Sequence, residues 1–480
     1  MHIIDLFNLS FQDRKEKAAI EFQEHTFTFG DLDECSNQMA NLLLSKGLKQ
    51  GDRLCLYLEN GVAFIDLYLA CLKIGVIVVP VNILYRDREI SHIVKDANPR
   101  GFVAAAPLPG IDAWMADQLV DEAKDMPSTL NPIVLQGDDP AAIIYTSGTT
   151  GASKGAVLSH NNFMANTMNL NTCWKIAESD RLLLGLPLFH VHGLANGMHC
   201  AFTAGCTTRL LPKIEHQKLP DEFNSFRPTL FYGVPTVYVR LLDQSDEIAK
   251  DMGSSVRLFV SGSAPLPPQV LEEFKDKFGH TILERYGMTE TLMNISNPYV
   301  GERRAGTVGF PLPGTSIKVI SPDGHEAEPD EEGEIHIKGP NVFSQYWNRP
   351  DATASALENG YFKTGDMAVV SKDGYYTLRG RKSELIISGG FNIYPREIEE
   401  FLLEQDEVRE AAVIGVPDKI KGELPVAFIV ADGDLDINTL TEKCKKELAS
   451  FKVPKQFIVV ASLPRTALGK VQKHLLPKLL

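Results

Sequence analysis

The sequence has no run approaching the ~20 apolar residues of a membrane span. Its opening stretch, MHIIDLFNLSFQDRKEKAAI, is broken by Asp5, Asp13 and Arg14 before a signal-peptide core can form. Positive charge is not in excess either. Lys and Arg total 48 against 62 Asp and Glu, a formal charge of −14, and the cations are scattered, which argues against nucleic acid as a partner. Cysteine is sparse: Cys35, Cys55, Cys71, Cys173, Cys200, Cys206 and Cys444 are odd in number and never fall in a C-x-x-C spacing. That excludes a zinc ribbon and fits reduced core thiols in a soluble, cytoplasmic protein. No fixed-period repeat is visible, so a solenoid is excluded. Nothing in the sequence marks an oligomeric state.

What is present is a long chain with ample core material. At 480 residues and 44% hydrophobic, it is expected to fold as two to four domain-sized modules, since domains typically run ~100–200 residues. Leu32, Cys35, Met39, Leu42 and Leu43 fall at helical spacing behind a start at residues 28–32. A strand at 53–58, a helix at 62–73 and a strand at 77–80 follow. The same alternation returns with strands at 181–186, 207–211, 229–232 and 256–260, the mark of a helix-covered parallel sheet. An acidic, turn-rich span at 326–333 lies between short alternating strands at 316–320 and 333–338, which read as a β-rich subdomain. After Arg381 the pattern restarts: a helix behind Pro395, strands at 410–414 and 426–430, a helix at 437–450 and a strand at 456–460. The expected class is α/β, with a large domain at 1–381 and a small α+β domain at 382–480.

Chemistry concentrates at 145–155, YTSGTTGASKG, between the apolar runs 141–144 and 156–158. This reads as strand, loop, strand. Backbone N–H groups, hydroxyls and one ammonium gathered in a small volume suit a polyphosphate. A Walker A loop is excluded, because Lys154 is followed by Gly155 rather than Ser or Thr. By composition alone a Gly/Ser/Thr surface linker fits as well; the order of residues is the more specific signal. Further on, LERYGMTET (283–291) turns at Gly287 and brings an aromatic, Tyr286, and a carboxylate, Glu290, to one loop. In YFKTGD (361–366), Asp366 at a tight turn has two acceptor oxygens for a diol, or simply caps the turn. LPRTALGK (463–470) sets Lys470 on a glycine-containing loop near the end of the chain.

These motifs, in this order, closely resemble the adenylate-forming superfamily of acyl-CoA synthetases, luciferases and peptide-synthetase adenylation domains, and the resemblance covers nearly the whole chain. It implies a reaction in two halves: a carboxylate and MgATP give an acyl-adenylate and pyrophosphate, then a thiol, that of coenzyme A, displaces AMP. It implies that Thr146, Ser147, Gly148, Thr149, Thr150, Gly151 and Lys154 bind the ATP phosphates. Ser263 (from SGSAP, 261–265), Tyr286, Gly287, Thr289, Asp366 and Arg381 would hold adenine and ribose, and Glu290 the Mg²⁺. Lys470 would stabilise charge during adenylation, and His190 would gate the thiol tunnel. Gly389 and Gly390 would face that tunnel once the small domain turns at a hinge, Ser383. The family usually has Asp or Lys there, which leaves the hinge's charge interactions without a counterpart.

The substrate is read as a short dicarboxylate. In the family the region 231–242 lines the acyl pocket; here it is apolar except for Arg240. Arg285 precedes Tyr286 on a bordering loop, and LFHVHG (188–193) adds His190 and His192. Convergent cations beside an apolar wall suit a distal carboxylate. Val191 and Met288 would shape the space around C2, admitting malonate and methylmalonate. The competing reading has Arg240 reaching solvent and Arg285 paired with Glu284. YGMTET with MNISNPYVGERRAGTVGFPLPG is similar to malonyl-CoA synthetases over a longer run than the superfamily motifs require. The other readings left by the motifs are a monocarboxylate CoA ligase, an adenylation domain that loads a carrier protein, and a binding module without turnover.

Overall fold

The computed structural model describes residues 1–146, 153–388, 391–419, 421–448, 450–466 and 469–480, with the side chains of 391 and 392 left aside. Local chemistry starts the elements where the sequence predicts them. Helix Phe29–Ser45 is opened by Thr28, whose hydroxyl accepts from Asp31 N–H while the Asp31 carboxylate accepts from Thr28 N–H. This reciprocal cap satisfies two otherwise orphaned donors. Helix Val62–Ile74 is apolar apart from Asp66 and Lys73 and buried from Phe64 to Ile74, because it lies inside the molecule.

Two sheets dominate. A seven-stranded sheet runs in the order Gln345–Tyr346, Lys154–Ser159, Pro140–Thr146, Ile77–Pro80, Arg53–Tyr57, Gly101–Ala104, Trp114–Met115. A nine-stranded sheet has parallel pairing through Leu283–Met288, Leu258–Ser261, Leu230–Gly233, Arg181–Leu184 and Thr207–Leu210. One continuous core joins these sheets and their helices, with Phe64, Tyr68, Phe202 and Tyr238 fully buried in it. Each such side chain contributes roughly 1.5–3 kcal/mol through burial of apolar surface.

The β-rich part is an antiparallel sheet of Ser316–Ile320, Glu332–Lys338, Tyr361–Val370 and Tyr376–Arg381 with the short Leu357–Glu358. From residue 386 a separate sheet forms around the long hairpin Val408–Asp418 and Gly422–Ala431, with Gln456–Val459 parallel to it and helices Pro395–Leu403 and Ile437–Glu447 packed on it. Its core of Ile393, Ile398, Leu402, Val413, Ile429 and Leu440 is its own. The α/β class with a small α+β unit is therefore as expected. Helix 437–450 ends earlier than expected, at Glu447, and helix Ile3–Phe11 had no clear counterpart in the pattern.

The parallel strands Leu230–Gly233, Leu258–Ser261 and Leu283–Met288 are neighbours, so their carboxyl ends lie along one edge of the sheet. Ligands of open α/β sheets bind at such edges.

Candidate active site

The strands on either side of the expected phosphate loop form an antiparallel pair: Pro140–Thr146 pairs with Lys154–Ser159, with Thr146 opposite Lys154. Ser147, Gly148, Thr149, Thr150 and Gly151 lie outside the described residues, as do Gly389 and Gly390. The base of the hairpin is fastened from helix Asp87–Ala97. His92 Nε2–H donates to the Ser153 carbonyl at 2.8 Å, Tyr145 O–H donates to Asp96 Oδ2 at 2.8 Å, and Arg349 pairs with Asp96 at 2.9 Å.

Lys154 and Glu290, far apart in sequence, meet through Tyr346. The Lys154 ammonium stands 4.7 Å above the Tyr346 ring, and Tyr346 O–H donates to Glu290 Oε1 at 2.9 Å. Glu290 is buried, and burial raises its pKa, opposed by Tyr346, Arg381 and Lys154. Among the described residues no cluster of three His, Cys, Asp or Glu side chains forms a metal site. A single hard carboxylate fits Mg²⁺ that arrives with a triphosphate, since that ion keeps its waters and takes one or two carboxylates plus phosphate oxygens.

Asp366 stands opposite Arg381 across two strands. Its Oδ1 pairs with Arg381 Nε at 2.6 Å and its Oδ2 accepts from Tyr286 O–H at 2.6 Å. Burial raises the Asp366 pKa and Arg381 opposes it. Each oxygen keeps a lone pair free for a ribose hydroxyl. Tyr286, the expected adenine-stacking ring, is thus tied by its hydroxyl to Asp366, the carboxylate expected at the ribose. Gly287 beside it cannot be replaced: a Cβ there would lie 2.0 Å from the Leu292 carbonyl oxygen. Thr289 and Glu290 lie buried in the turn that follows.

The surroundings of Arg285, expected on the acyl side, are unusual electrostatically. Arg285 is 5% exposed, and neither Nε nor Nη2 has a partner. Glu284 does not pair with it, because successive residues of a strand point to opposite faces; the Glu284 carboxylate accepts from Leu266 N–H at 2.9 Å. The guanidinium lies against Gly262, where a Cβ would come within 2.2 Å of Arg285 Cζ, so only glycine leaves room for it. Burial pushes the Arg285 pKa down to about 10. Burial and the nearby Arg285 charge push His190 down to about 4 and His192 well below its usual value, so both rings are neutral. The His192 backbone N–H donates to His190 Nδ1 at 3.3 Å, which puts the His190 proton on Nε2. His192 Nδ1 faces Ser263 Oγ at 3.1 Å, and its Nε2 is buried without a partner. Ser263 therefore meets the acyl side as well as the expected adenine loop. Val191 is buried beside this group and Met288 half-buried.

Arg240 does not join the buried cluster, which corrects the expected convergence of two arginines. On helix Pro235–Leu241 the buried positions are 235, 237, 238 and 241, and Arg240 falls between them on the exposed side. It stands one turn along from Thr236, on the same helix face.

Thr236 in turn meets the C-terminal loop, since a Cβ on Gly469 would lie 2.9 Å from its Oγ1. The next residue, Lys470, is exposed. Partial desolvation in the cleft and the nearby Arg381 lower its pKa, while Glu384 and Asp366 oppose them. Lys470 thus shares the neighbourhood of Asp366 and Glu384. Ser383 is exposed in the short turn Lys382–Glu384, flanked by Lys382 paired with Glu334 at 2.9 Å and Glu384 paired with Lys473 at 3.0 Å. Tyr346, His92, Asp96 and Thr236 carry no motif of their own; they are found by the contacts they make.

Comparison with known proteins agrees with this geometry. The AMP-binding enzyme family matches residues 7–347 and the AMP-binding enzyme C-terminal domain matches 397–470. A malonate–CoA ligase of Arabidopsis thaliana is 33% identical over 99% of this chain and 89% of its own length. A long-chain-fatty-acid–CoA ligase of Bacillus subtilis is equally similar, 33% identical over 96% of this chain and 91% of its own. The ATP-bound crystal structure of MatB from Rhodopseudomonas palustris superposes with a TM-score of 0.94 at 38% identity, covering 100% of this chain and 99% of that one; its apo form gives 0.83. ATP with Mg²⁺ and CoA are the co-substrates of such ligases, and no helix among the described residues is long and apolar enough to cross a membrane. With both modules matched in order, the chain belongs to the AMP-binding enzyme family, the adenylate-forming acid–thiol ligases.

Proposed function

We propose that the chain ligates malonate, and with it methylmalonate, to CoA through an acyl-adenylate. The observation that carries this reading is the buried Arg285 with two unpartnered nitrogens beside neutral His190 and His192. A fatty or aromatic acid would leave that cation unpaired in an apolar wall, at a cost of several kcal/mol. A distal carboxylate gives it a counter-charge. The malonate–CoA ligases among the relatives support the reading, and the fatty-acid ligase at equal identity is why the pocket rather than the identity has to decide.

In the first half-reaction one malonate oxygen attacks the α-phosphorus and pyrophosphate leaves. Thr146, Lys154 and the loop between them bind the phosphates, and Glu290 holds the Mg²⁺ that comes with them. Asp366 and Arg381 fix the ribose, Tyr286 the adenine, and Lys470 meets the charge growing on the α-phosphoryl oxygens. In the second half the CoA sulfur attacks the acyl carbon, its proton passes to solvent, and AMP leaves. We assign residues 1–381 to a large lobe and 382–480 to a small one that turns at Ser383 between the halves, bringing Gly389 and Gly390 to the thiol path with His190 as its gate. The better superposition on ATP-bound than on apo MatB supports an adenylation-ready arrangement here. A reducing compartment such as the cytoplasm suits the seven unpaired cysteines.

The test is pyrophosphate release with malonate, methylmalonate, propionate, octanoate and coumarate, with and without CoA. Malonate is expected to give the highest kcat/KM. A parent enzyme that prefers octanoate or coumarate overturns the assignment.

A further inference from the structure

Ser263 follows strand Leu258–Ser261 and Gly262 with φ +72°. A side-chain-bearing residue enters that left-handed region at a cost, and such strain gathers at functional sites. What the strained backbone achieves is to aim the hydroxyl at His192: Oγ lies 3.1 Å from Nδ1. His192 itself is 1% exposed, its ring lies against Tyr232 with centroids 6.4 Å apart, and its far nitrogen, Nε2, is buried without a partner. Arg285 adds two more buried donors without partners in the same wall.

A neutral imidazole has one N–H, and its position decides what the ring can bind. If Nδ1–H donated to Ser263, Nε2 would carry only a lone pair and would repel an anion held beside Arg285. If Ser263 O–H donates to Nδ1, Nε2 carries the proton and is a donor. Burial and the Arg285 charge keep the ring from taking a second proton, so the choice rests on the serine. Its single hydrogen, once committed to His192, is not available to the nucleotide.

We propose that Ser263 is a positioning residue of the acyl pocket, whose O–H donates to His192 Nδ1 and so fixes the imidazole as an Nε2–H donor to the substrate's distal carboxylate beside Arg285. This rests on the dicarboxylate reading above, and it moves Ser263 from nucleotide binding to acid selection.

The variants are Ser263→Gly, which relieves the strained backbone, and Ser263→Ala, which keeps the Cβ. Steady-state kinetics with malonate, propionate and ATP are measured for the full-length enzyme. Loss of one hydrogen bond that organises a charged contact should lower kcat/KM for malonate about tenfold in both variants. Propionate turnover and the KM for ATP should stay within about twofold. A raised KM for ATP with an unchanged malonate-to-propionate ratio would return Ser263 to the nucleotide site and overturn the proposal, and so would no change at all. Nitrogen-15 NMR of histidine-labelled parent and Ser263→Gly enzyme, without substrate, reads the tautomer directly. His192 should be protonated on Nε2 in the parent and lose that preference in the variant. A parent that prefers propionate would sink the dicarboxylate reading, whereas an Nδ1–H tautomer in the parent would sink this inference alone.

Discussion

Replacing Arg285 by methionine separates what the guanidinium does for folding from what it does for substrate choice. In the free protein it is a nearly fully buried cation with Nε and Nη2 unpartnered and a pKa pushed down by burial. Exchanging a buried charge for an apolar side chain of similar length is often neutral or stabilising, so the melting temperature of Arg285→Met is expected to match or exceed that of the parent. Catalysis should move the other way. Losing a desolvated charge-assisted contact costs about 2–5 kcal/mol, or about 30- to 5,000-fold in kcat/KM for malonate. Propionate lacks the second carboxylate and should lose little. Arg240→Ala provides the comparison: its exposed side chain should matter by less than about 1 kcal/mol. Pyrophosphate release with the two acids, beside thermal melts of the three proteins, makes the measurement. Equal losses for malonate and propionate, or a melting temperature that falls sharply, would mean that Arg285 supports the fold, and the reasoning would fail.

Three further outcomes follow from the same geometry. Lys470→Ala should lose acyl-adenylate formation by orders of magnitude while still converting supplied malonyl-AMP and CoA to thioester; equal loss in both half-reactions would remove the lysine's special place in the first. Ser383→Pro fixes φ near −65° and should spare pyrophosphate release but stop thioester formation, and a variant with both rates intact would move the hinge elsewhere. Glu284, buried and pushed up to about 7 mainly by burial, contributes most below its unfolded pKa near 4.3, and that contribution is lost as pH rises to about 7. Glu284→Gln, which keeps the acceptor for Leu266 N–H, should therefore gain on the parent by about 3 kcal/mol between pH 4.5 and 7, read from denaturant melts; a constant difference across that range would contradict it.

The parts legible in the sequence were those whose physics is local. The parallel-sheet alternation, the helix cap at Thr28, the hairpin that encloses 147–153 and the glycine at 287 all announce themselves within a few residues. Tyr346 could not be read in this way, because it matters only where it stands between Lys154 and Glu290. His92 and Asp96 likewise fasten the hairpin Pro140–Ser159 from a helix about fifty residues earlier. Arg240 illustrates the opposite failure: the segment 231–242 is apolar around it, but a helix of seven residues has two sides, and the sequence does not say which of them is buried. Glu284 and Arg285 look like an ion pair when written side by side, and the alternation of the strand separates them.

That alternation is also what makes the strand Leu283–Met288 the centre of the site. Glu284 turns to the loop at Leu266, Arg285 to Gly262, and Tyr286 to Asp366. The backbone then approaches Leu292 so closely that only Gly287 fits, and the turn sets Glu290 against Tyr346. An adenylating enzyme must bring a carboxylate oxygen in line with an α-phosphorus, and misplacement by about 1 Å can cost about a hundredfold in rate. With the proposed anchors for the acid, the nucleoside and the metal on one short hairpin, their spacing is set by strand geometry and does not depend on how the small lobe sits. In the proposed division the small lobe delivers Lys470 to the first half-reaction, on a loop that meets helix Pro235–Leu241 at Thr236. Removing the lysine should accordingly leave malonate and ATP binding nearly unchanged while adenylation stops, whereas moving Arg285 by filling the space at Gly262 should weaken malonate and leave ATP bound.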